Sequence, residues 1–158
     1  MNAATHSVCE LAVSIAHTAV WAQMTTVDSR NRPRSRVVHP VWTLDRGGLT
    51  GWLTTRRTPL KARHLAANPH VSLAYLASNH DLAYFDCTAE WVEDPAGKHR
   101  CWEAFLNAPE PARYDPATIW PEGPTAAGFE VLRFTPYRVQ AGLATEIAAG
   151  DKPRLARL

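Results

Sequence analysis

The spacing of hydrophobic and polar positions changes several times along the chain. In residues 7–19, SVCELAVSIAHTA, the apolar side chains Val8, Leu11, Ala12, Ile15, Ala16 and Ala19 recur at helical intervals. The pattern predicts an amphipathic helix with Ser7 as its N-cap. Strand-like alternation then takes over. VWAQMTTVD (20–28) reads as a first strand, SRNRP as a turn, RSRVVHPVWTL (34–44) as a second strand, and GLTGWLTT (48–55) as a third, joined through DRGG. Thr58 and Pro59 have the chemistry of a helix N-cap and first residue, and the short helix PLKARHLAA must stop at Asn68-Pro69.

HVSLAYLA (70–77) is a fourth strand and LAYFDCTAEWVE (82–93) a long fifth. Asp94 and Pro95 form another cap pair, opening a helix through Asn107 that offers Trp102, Phe105 and Leu106 for burial, although Gly97 weakens it. Residues 108–126 are proline-rich and read as a loop. GFEVLRFTPYRVQAGL (128–143) supplies a last strand or pair of strands, and residues 144–158 show no period. The expected fold is mainly β: about six antiparallel strands with two or three flanking helices. Sheet edges must be closed or covered, so a small barrel is the natural architecture. The organisation is one domain over residues 1–158, with an N-terminal helix (1–20), a barrel (21–143) and a tail (144–158).

Composition adds little to this until charge is mapped. The 158 residues are 46% apolar and 20% charged, as in an ordinary globular domain, and the net charge is only +2. Yet residues 29–80 hold nine Arg and Lys against the single acid Asp45, a net +8, whereas the remaining 8 basic and 14 acidic residues sum to −6. Such asymmetry points to an anionic partner for the first half. The charge concentrates at one strand-to-helix corner, TTRRTPLKARHLAANP (54–69), which contains no acid. Alternation puts Arg34 and Arg36 on one strand face with Val38, Pro40 and Trp42. Arg36, Thr54, Thr55 and Lys61 thus gather near one rim beside a helix N-terminus, whose free N–H groups attract anions. A phosphate pocket, a solvated basic face and a nucleic-acid contact all fit this charge. The chain has no P-loop, no G-x-G-x-x-G, no recognition helix and no RNA-binding aromatic signature, so nucleoside triphosphates, Rossmann dinucleotides and nucleic acid are disfavoured.

Other chemistry is sparse. Cys9, Cys87 and Cys101 are an odd number without C-x-x-C spacing, which suits a reducing cytoplasm better than disulfides or a zinc ribbon. His64, His70 and His80 lack the spacing of a metal pair, and no metal site is expected. No secretory signal or membrane span is visible, and no G-x-S-x-G or H-E-x-x-H supports a hydrolase. Asp86 and Glu90 share a strand face without forming a catalytic pair. His39 reads either as a packed histidine or as a ligand contact. Most of the six Trp suit core or interface, with Trp120 in the proline-rich loop placed to reach over a neighbouring subunit.

Three segments together resemble the pyridoxamine 5′-phosphate oxidase-like superfamily of FMN-binding split barrels: TTVDSRNRPRSRVVHPVW, GWLTTRRTPLKARHLAANPHVSLAYL and CTAEWVEDP. The likeness runs from about Met24 to Leu143. Its most specific part is the set Thr54, Thr55, Thr58, Pro59, Lys61, Leu65, Asn68 and Pro69. The resemblance implies a homodimeric split β-barrel with FMN, or a related deazaflavin coenzyme, in a groove between subunits, and a small organic molecule as substrate. Carried over residue by residue, it implies that Arg36, Val37, Val38, His39, Thr54, Thr55, Thr58 and Lys61 bind the cofactor. A flavin or haem carrier of the same fold is the alternative. The chain departs from the true oxidases in several places. Val41 and Leu82 stand near positions where those enzymes carry Lys and Gln, Leu60 is an extra residue before Lys61, and the C-terminal Trp-Gln-Gly and Arg-Leu-His-Asp-Arg motifs are missing. The phosphate clamp is retained while the pyridoxamine phosphate site is not.

Overall fold

A computed structural model describes residues 1–158. The chain forms α1 (Ala3–Ala19), β1 (Ala22–Val27), β2 (Pro33–Val38), β3 (Val41–Asp45), β4 (Gly48–Thr54), α2 (Pro59–Ala67), β5 (His70–Leu76), β6 (Leu82–Val92), α3 (Pro95–Asn107), β7 (Val131–Gly142), α4 (Ala144–Ala148) and β8 (Arg154–Arg157). All the strands belong to one antiparallel sheet in the order β2-β1-β5-β6-β7-β4-β3, with β8 alongside β7. The two strands at the ends of this path, β2 and β3, are consecutive in the chain and separated only by His39 and Pro40. The chain itself therefore closes the ring where no backbone ladder does.

The sheet has eight strands where six are expected from the sequence. One addition comes from the predicted second strand, which breaks at His39-Pro40. Proline has no N–H for a ladder, so pairing stops there and resumes with a new neighbour: β2 pairs with β1, and β3 with β4. The other comes from the tail. β4 covers only residues 131–134 of the long strand β7, and β8 pairs with residues 138–141 of that strand. It thereby takes up backbone groups that would otherwise form an open edge. Pro136 sits beside a register shift in the β6–β7 ladder, with Cys87 opposite Pro136 and Asp86 opposite Arg138, so Tyr137 is the extra residue of a bulge.

The N-cap of α1 is Asn2, whose side chain accepts the Thr5 N–H, and the predicted cap Ser7 lies inside the helix. The helix buries Cys9, Ala12, Ile15, Ala16 and His17. The first four join Met24, Trp42, Leu73, Phe85, Phe134 and Val139 in the main core. A second, smaller core lies under α3, where Val41, Trp52, Phe105, Phe129 and Val131 meet. The proline-rich segment docks on it through buried Ala112 and Ala126, and Trp102 and Trp120 pack edge-on against Phe129. All three cysteines are free and buried. No helix is long and apolar enough to cross a membrane.

Trp42 organises the main core. Its ring stacks on Phe85 at 3.9 Å, its indole N–H donates to the Tyr75 hydroxyl at 2.8 Å, and its backbone N–H donates to His17 Nε2 at 3.0 Å. Opposite it on β4 stands Gly51, where a Cβ would come 2.6 Å from the indole ring. The Gly51→Ala variant is expected to lose about 1–3 kcal/mol of stability, read as a lower urea midpoint. His17 is held neutral, because burial, helped by His39, lowers its pKa from 6.5 to about 4. Between these values the unfolded chain binds more protons. The contribution of His17 is thus complete above pH 6.5 and is lost as pH falls toward 4, at about 1.4 kcal/mol per unit of pKa shift. Urea midpoints measured across pH 4–7 are expected to rise with pH, and His17→Gln to flatten that slope.

Candidate functional site

The basic corner forms where β2, β1 and α2 converge. Arg36 lies on β2 opposite Met24 of β1, and its Nη2 donates to Thr26 Oγ1 at 3.0 Å. Thr26 is fully buried and also bonds His64 Nδ1 of α2 at 3.0 Å. Lys61, in the first turn of α2, is 6% exposed. Its Nζ donates to Thr55 Oγ1 and, at 3.0 Å, to the Arg56 carbonyl. An ammonium has three N–H donors, so one is left over. A second guanidinium nitrogen of Arg36, Nη1, is buried without any hydrogen-bond partner.

No carboxylate neutralises this pair. Six ion pairs form in the protein, and neither Arg36 nor Lys61 takes part in any. Nearby charges are engaged elsewhere: Arg32 with Asp28, and Arg57 with Glu93 and the face of Trp91. The electrostatic consequence is direct. Burial first, and then the positive charge of Arg36, lower the Lys61 pKa from 10.5 to about 8. Burial also lowers the pKa of Arg36. A buried lysine and a half-buried arginine, close enough for Arg36 to lower the Lys61 pKa and holding donors that no carboxylate takes up, have the chemistry to bind an anion.

Beside this corner runs a groove of about 520 Å³ between β2 and the end of β4, a size common for ligand sites. Val37, Val38 and His39 form one wall, and Leu53, Thr54, Thr55 and Arg56 the other. Tyr114, Ile119 and Trp120 come in from the proline-rich segment, and Trp21 from the end of α1. Thr55 joins the two features, since it lines the groove and binds Lys61. The Thr54 and Tyr114 hydroxyls are 2.8 Å apart. His39 packs against Trp21, Phe105 and Tyr114, and its Nε2–H donates to the Ala112 carbonyl at 2.8 Å. Its pKa is lowered by burial, against the raising effect of that bond.

Of the residues singled out in the sequence, Arg36, Thr55 and Lys61 come together at the basic corner, and Val37, Val38, His39 and Thr54 line the groove. Thr58 does not join them. It is exposed, and although it occupies the N-cap position of α2 its side chain caps nothing, which leaves the first-turn N–H groups without that acceptor. Trp120 borders the groove of its own chain. Thr26, His64 and Tyr114 were not legible as site residues, because each reaches the site from 38 or more residues away from the group it bonds, apart from the strand-paired Thr26 and Arg36. The period-two pattern does mark Thr26 as an inward polar position on an apolar strand face, and this was the available signal.

A larger hollow, about 800 Å³, lies elsewhere, between α3 and the β3–β4 hairpin. Its rim mixes His99, Arg100, Glu103 and Arg133 and has no orphaned buried donor, so the chemistry favours the basic corner despite the difference in size. Asp86 binds Arg138 and Ser72, and Glu90 binds Arg133, which places both on a structural polar face. No group of three or more His, Cys, Asp and Glu side chains converges to hold a metal.

Comparison with known proteins bears on the family and the fold. The family model described as pyridoxamine 5′-phosphate oxidase matches residues 13–141. Among solved structures, a protein related to general stress protein 26 from Clostridium acetobutylicum superposes with a TM-score of 0.68 at 15% identity, covering 97% of this chain and 96% of that one. General stress protein 26 from Bacillus anthracis gives 0.66 at 16% identity, covering 95% and 98%. A haem-binding protein from Mycobacterium smegmatis gives 0.68 at 17% identity, covering 95% of this chain and 57% of that one. No curated protein sequence matches the chain.

The protonation of Lys61 is directly observable. Titration of its side-chain nitrogen by NMR is expected to show a midpoint near pH 8. In the Arg36→Met variant the midpoint should rise, because the neighbouring positive charge is gone.

Proposed function

This chain belongs to the pyridoxamine 5′-phosphate oxidase family, and from that premise we propose that it is a flavin-dependent oxidoreductase acting on a small organic substrate. FMN is the proposed cofactor and a deazaflavin coenzyme the alternative. The observation that carries the reading is the pair of Arg36, with Nη1 buried and unpartnered, and buried Lys61, which no carboxylate neutralises and which Thr55 links to the apolar groove. A phosphate-bearing ring cofactor matches both halves. Its phosphate would complete the unpartnered Arg36 Nη1 and the third Lys61 donor, and the uncapped first turn of α2 adds N–H groups of favourable polarity. Its ring would lie along Val37, Val38, His39 and Thr54.

When bound, a flavin itself supplies the hydride and electron chemistry, so no side-chain nucleophile is needed. The chain's residues bind, orient and exclude water. Val38 and Leu53 are buried, and the aromatic faces of Trp21, Tyr114 and Trp120 shield the groove. His39 is neutral at pH 7 with Nε2–H committed to Ala112, so it offers Nδ1 only as an acceptor. Val41, near the position of the oxidases' Lys, is fully buried in the second core, and Leu82 opens β6 as a half-buried apolar residue. A substrate other than pyridoxamine phosphate follows from those apolar replacements. The exposed Trp21, Val37 and Ile119, at 60%, 66% and 60%, rim the groove as a second copy of the chain would require. We place the protein in the cytoplasm as a homodimer, on its buried free cysteines and this apolar rim. A haem carrier is the second reading, favoured by the likeness to a haem-binding protein and by the single histidine in the groove wall.

Titration with FMN, with the deazaflavin coenzyme and with haem, followed by fluorescence and absorbance, separates these readings. Lys61→Ala is expected to weaken FMN binding about 10- to 100-fold, the loss of one charge-assisted hydrogen bond, with thermal stability retained. FMN affinity should also decline as pH rises past about 8, where the free protein loses the Lys61 proton. An unchanged affinity in Lys61→Ala would remove the phosphate from this corner.

A further inference from the structure

The Arg36 guanidinium is aimed by atoms that never reach the groove. Its Nη2 donates to Thr26 Oγ1 at 3.0 Å, and the same oxygen lies 3.0 Å from His64 Nδ1. A threonine hydroxyl carries one proton, and arginine can only donate. Thr26 Oγ1 therefore accepts from Arg36. Its own proton has one available acceptor, because Thr26 is completely buried and makes no other side-chain hydrogen bond. That acceptor is Nδ1 of His64, so the hydrogen-bond chain is complete when the ring carries its proton on Nε2. His64 is 5% exposed, and it borders a hollow lined also by Asp28, Arg30, Arg32 and Arg63. Arginine fixes the first bond as Arg36 to Thr26, and the hydroxyl proton count gives the second as Thr26 to His64.

We propose that Thr26 and His64 are positioning residues for the anion clamp, a buried relay that fixes one edge of Arg36 so that Nη1 stays free for the ligand phosphate. The relay rests on the phosphate-cofactor reading above. It also ties the two halves of the clamp together. His64 lies three residues after Lys61 on α2, so the helix that carries one cation holds the partner that orients the other. Neither an apolar residue at 26 nor a donor-only residue at 64 could keep the arrangement. A valine at 26 removes both bonds with little change of shape, and asparagine at 64 can offer its carbonyl oxygen close to the place of Nδ1.

The experiment compares FMN with riboflavin, which has the same ring and no phosphate, in the wild type and in the Thr26→Val, Thr26→Ser, His64→Leu and His64→Asn variants. Each variant is checked for folding by its thermal transition. The relay predicts that Thr26→Val and His64→Leu weaken FMN binding about tenfold while riboflavin binding is unchanged, so the phosphate-dependent ratio of the two affinities falls. Thr26→Ser and His64→Asn should restore most of that ratio. A role in packing alone would lower both affinities together and show no rescue by the conservative variants, and that result overturns the inference. Equal FMN affinity in the wild type and a folded Thr26→Val or His64→Leu variant also overturns it, leaving the flavin reading intact. A wild type that binds neither FMN nor inorganic phosphate overturns the flavin reading, and the relay with it.

Discussion

The structure depends on one constraint: the two strands at opposite ends of the sheet path, β2 and β3, are joined by only two residues. A sheet whose end strands are tied so closely cannot lie open, and the order β2-β1-β5-β6-β7-β4-β3 must curl until its ends meet. Pro40 prevents the meeting strands from continuing as one ladder, since it has no N–H to contribute. The ring is therefore shut covalently but split in its hydrogen bonding. The groove lies along β2 near that split, with Val37, Val38 and His39 facing the end of β4. The same link buries Pro40, Val41 and Trp42 on successive positions, which draws the chain from the groove into both cores.

Around this opening the protein keeps charges that it does not neutralise. Elsewhere, strand-borne charges are answered across the ladder, as Asp86 is by Arg138 and Glu90 by Arg133. At the corner, Arg36 and Lys61 are answered only by neutral oxygens: Thr26, Thr55 and the Arg56 carbonyl. Holding like charges together in a partly dry place is unfavourable, and burial first, then the Arg36 charge, lower the Lys61 pKa. The polar contacts that hold Arg36 and Lys61 leave Nη1 of the first and one ammonium donor of the second without a partner, so the local fold is specified without using all of their donors. Thr55 and Thr26 divide the work, the first tethering Lys61 at the groove and the second tethering Arg36 from behind.

Much of the fold could be read from residue spacing. The helices around Val8–Ala19, Pro59–Ala67 and Pro95–Asn107, and the strands from Ala22 to Val92, declared themselves by period, by Pro at helix starts and by turn residues. The errors have physical sources. Ser7 had the right chemistry for a cap, but Asn2 had it earlier in a sequence that can be helical from Ala3 onward. Thr58 occupied a cap position, yet no local rule states whether a hydroxyl will turn toward the helix. The tail lacked a period because α4 and β8 are too short to display one. What orders β8 is the unpaired length of β7 beyond β4, a property of the partner strand.

The sequence by itself determined the mainly antiparallel β architecture, the basic corner and the family likeness that marks Arg36, Thr55 and Lys61, because these depend on local period and on residue types at short separations. The tertiary structure decided which polar groups were left without partners. Whether Arg36 Nη1 is buried and unpaired depends on Thr26 and His64, and whether Lys61 is dry enough for its proton to loosen depends on burial in α2 and on Arg36, groups brought together from separate segments. Burial and hydrogen-bond completion are sums over all neighbours in space, and no single stretch of chain contains them.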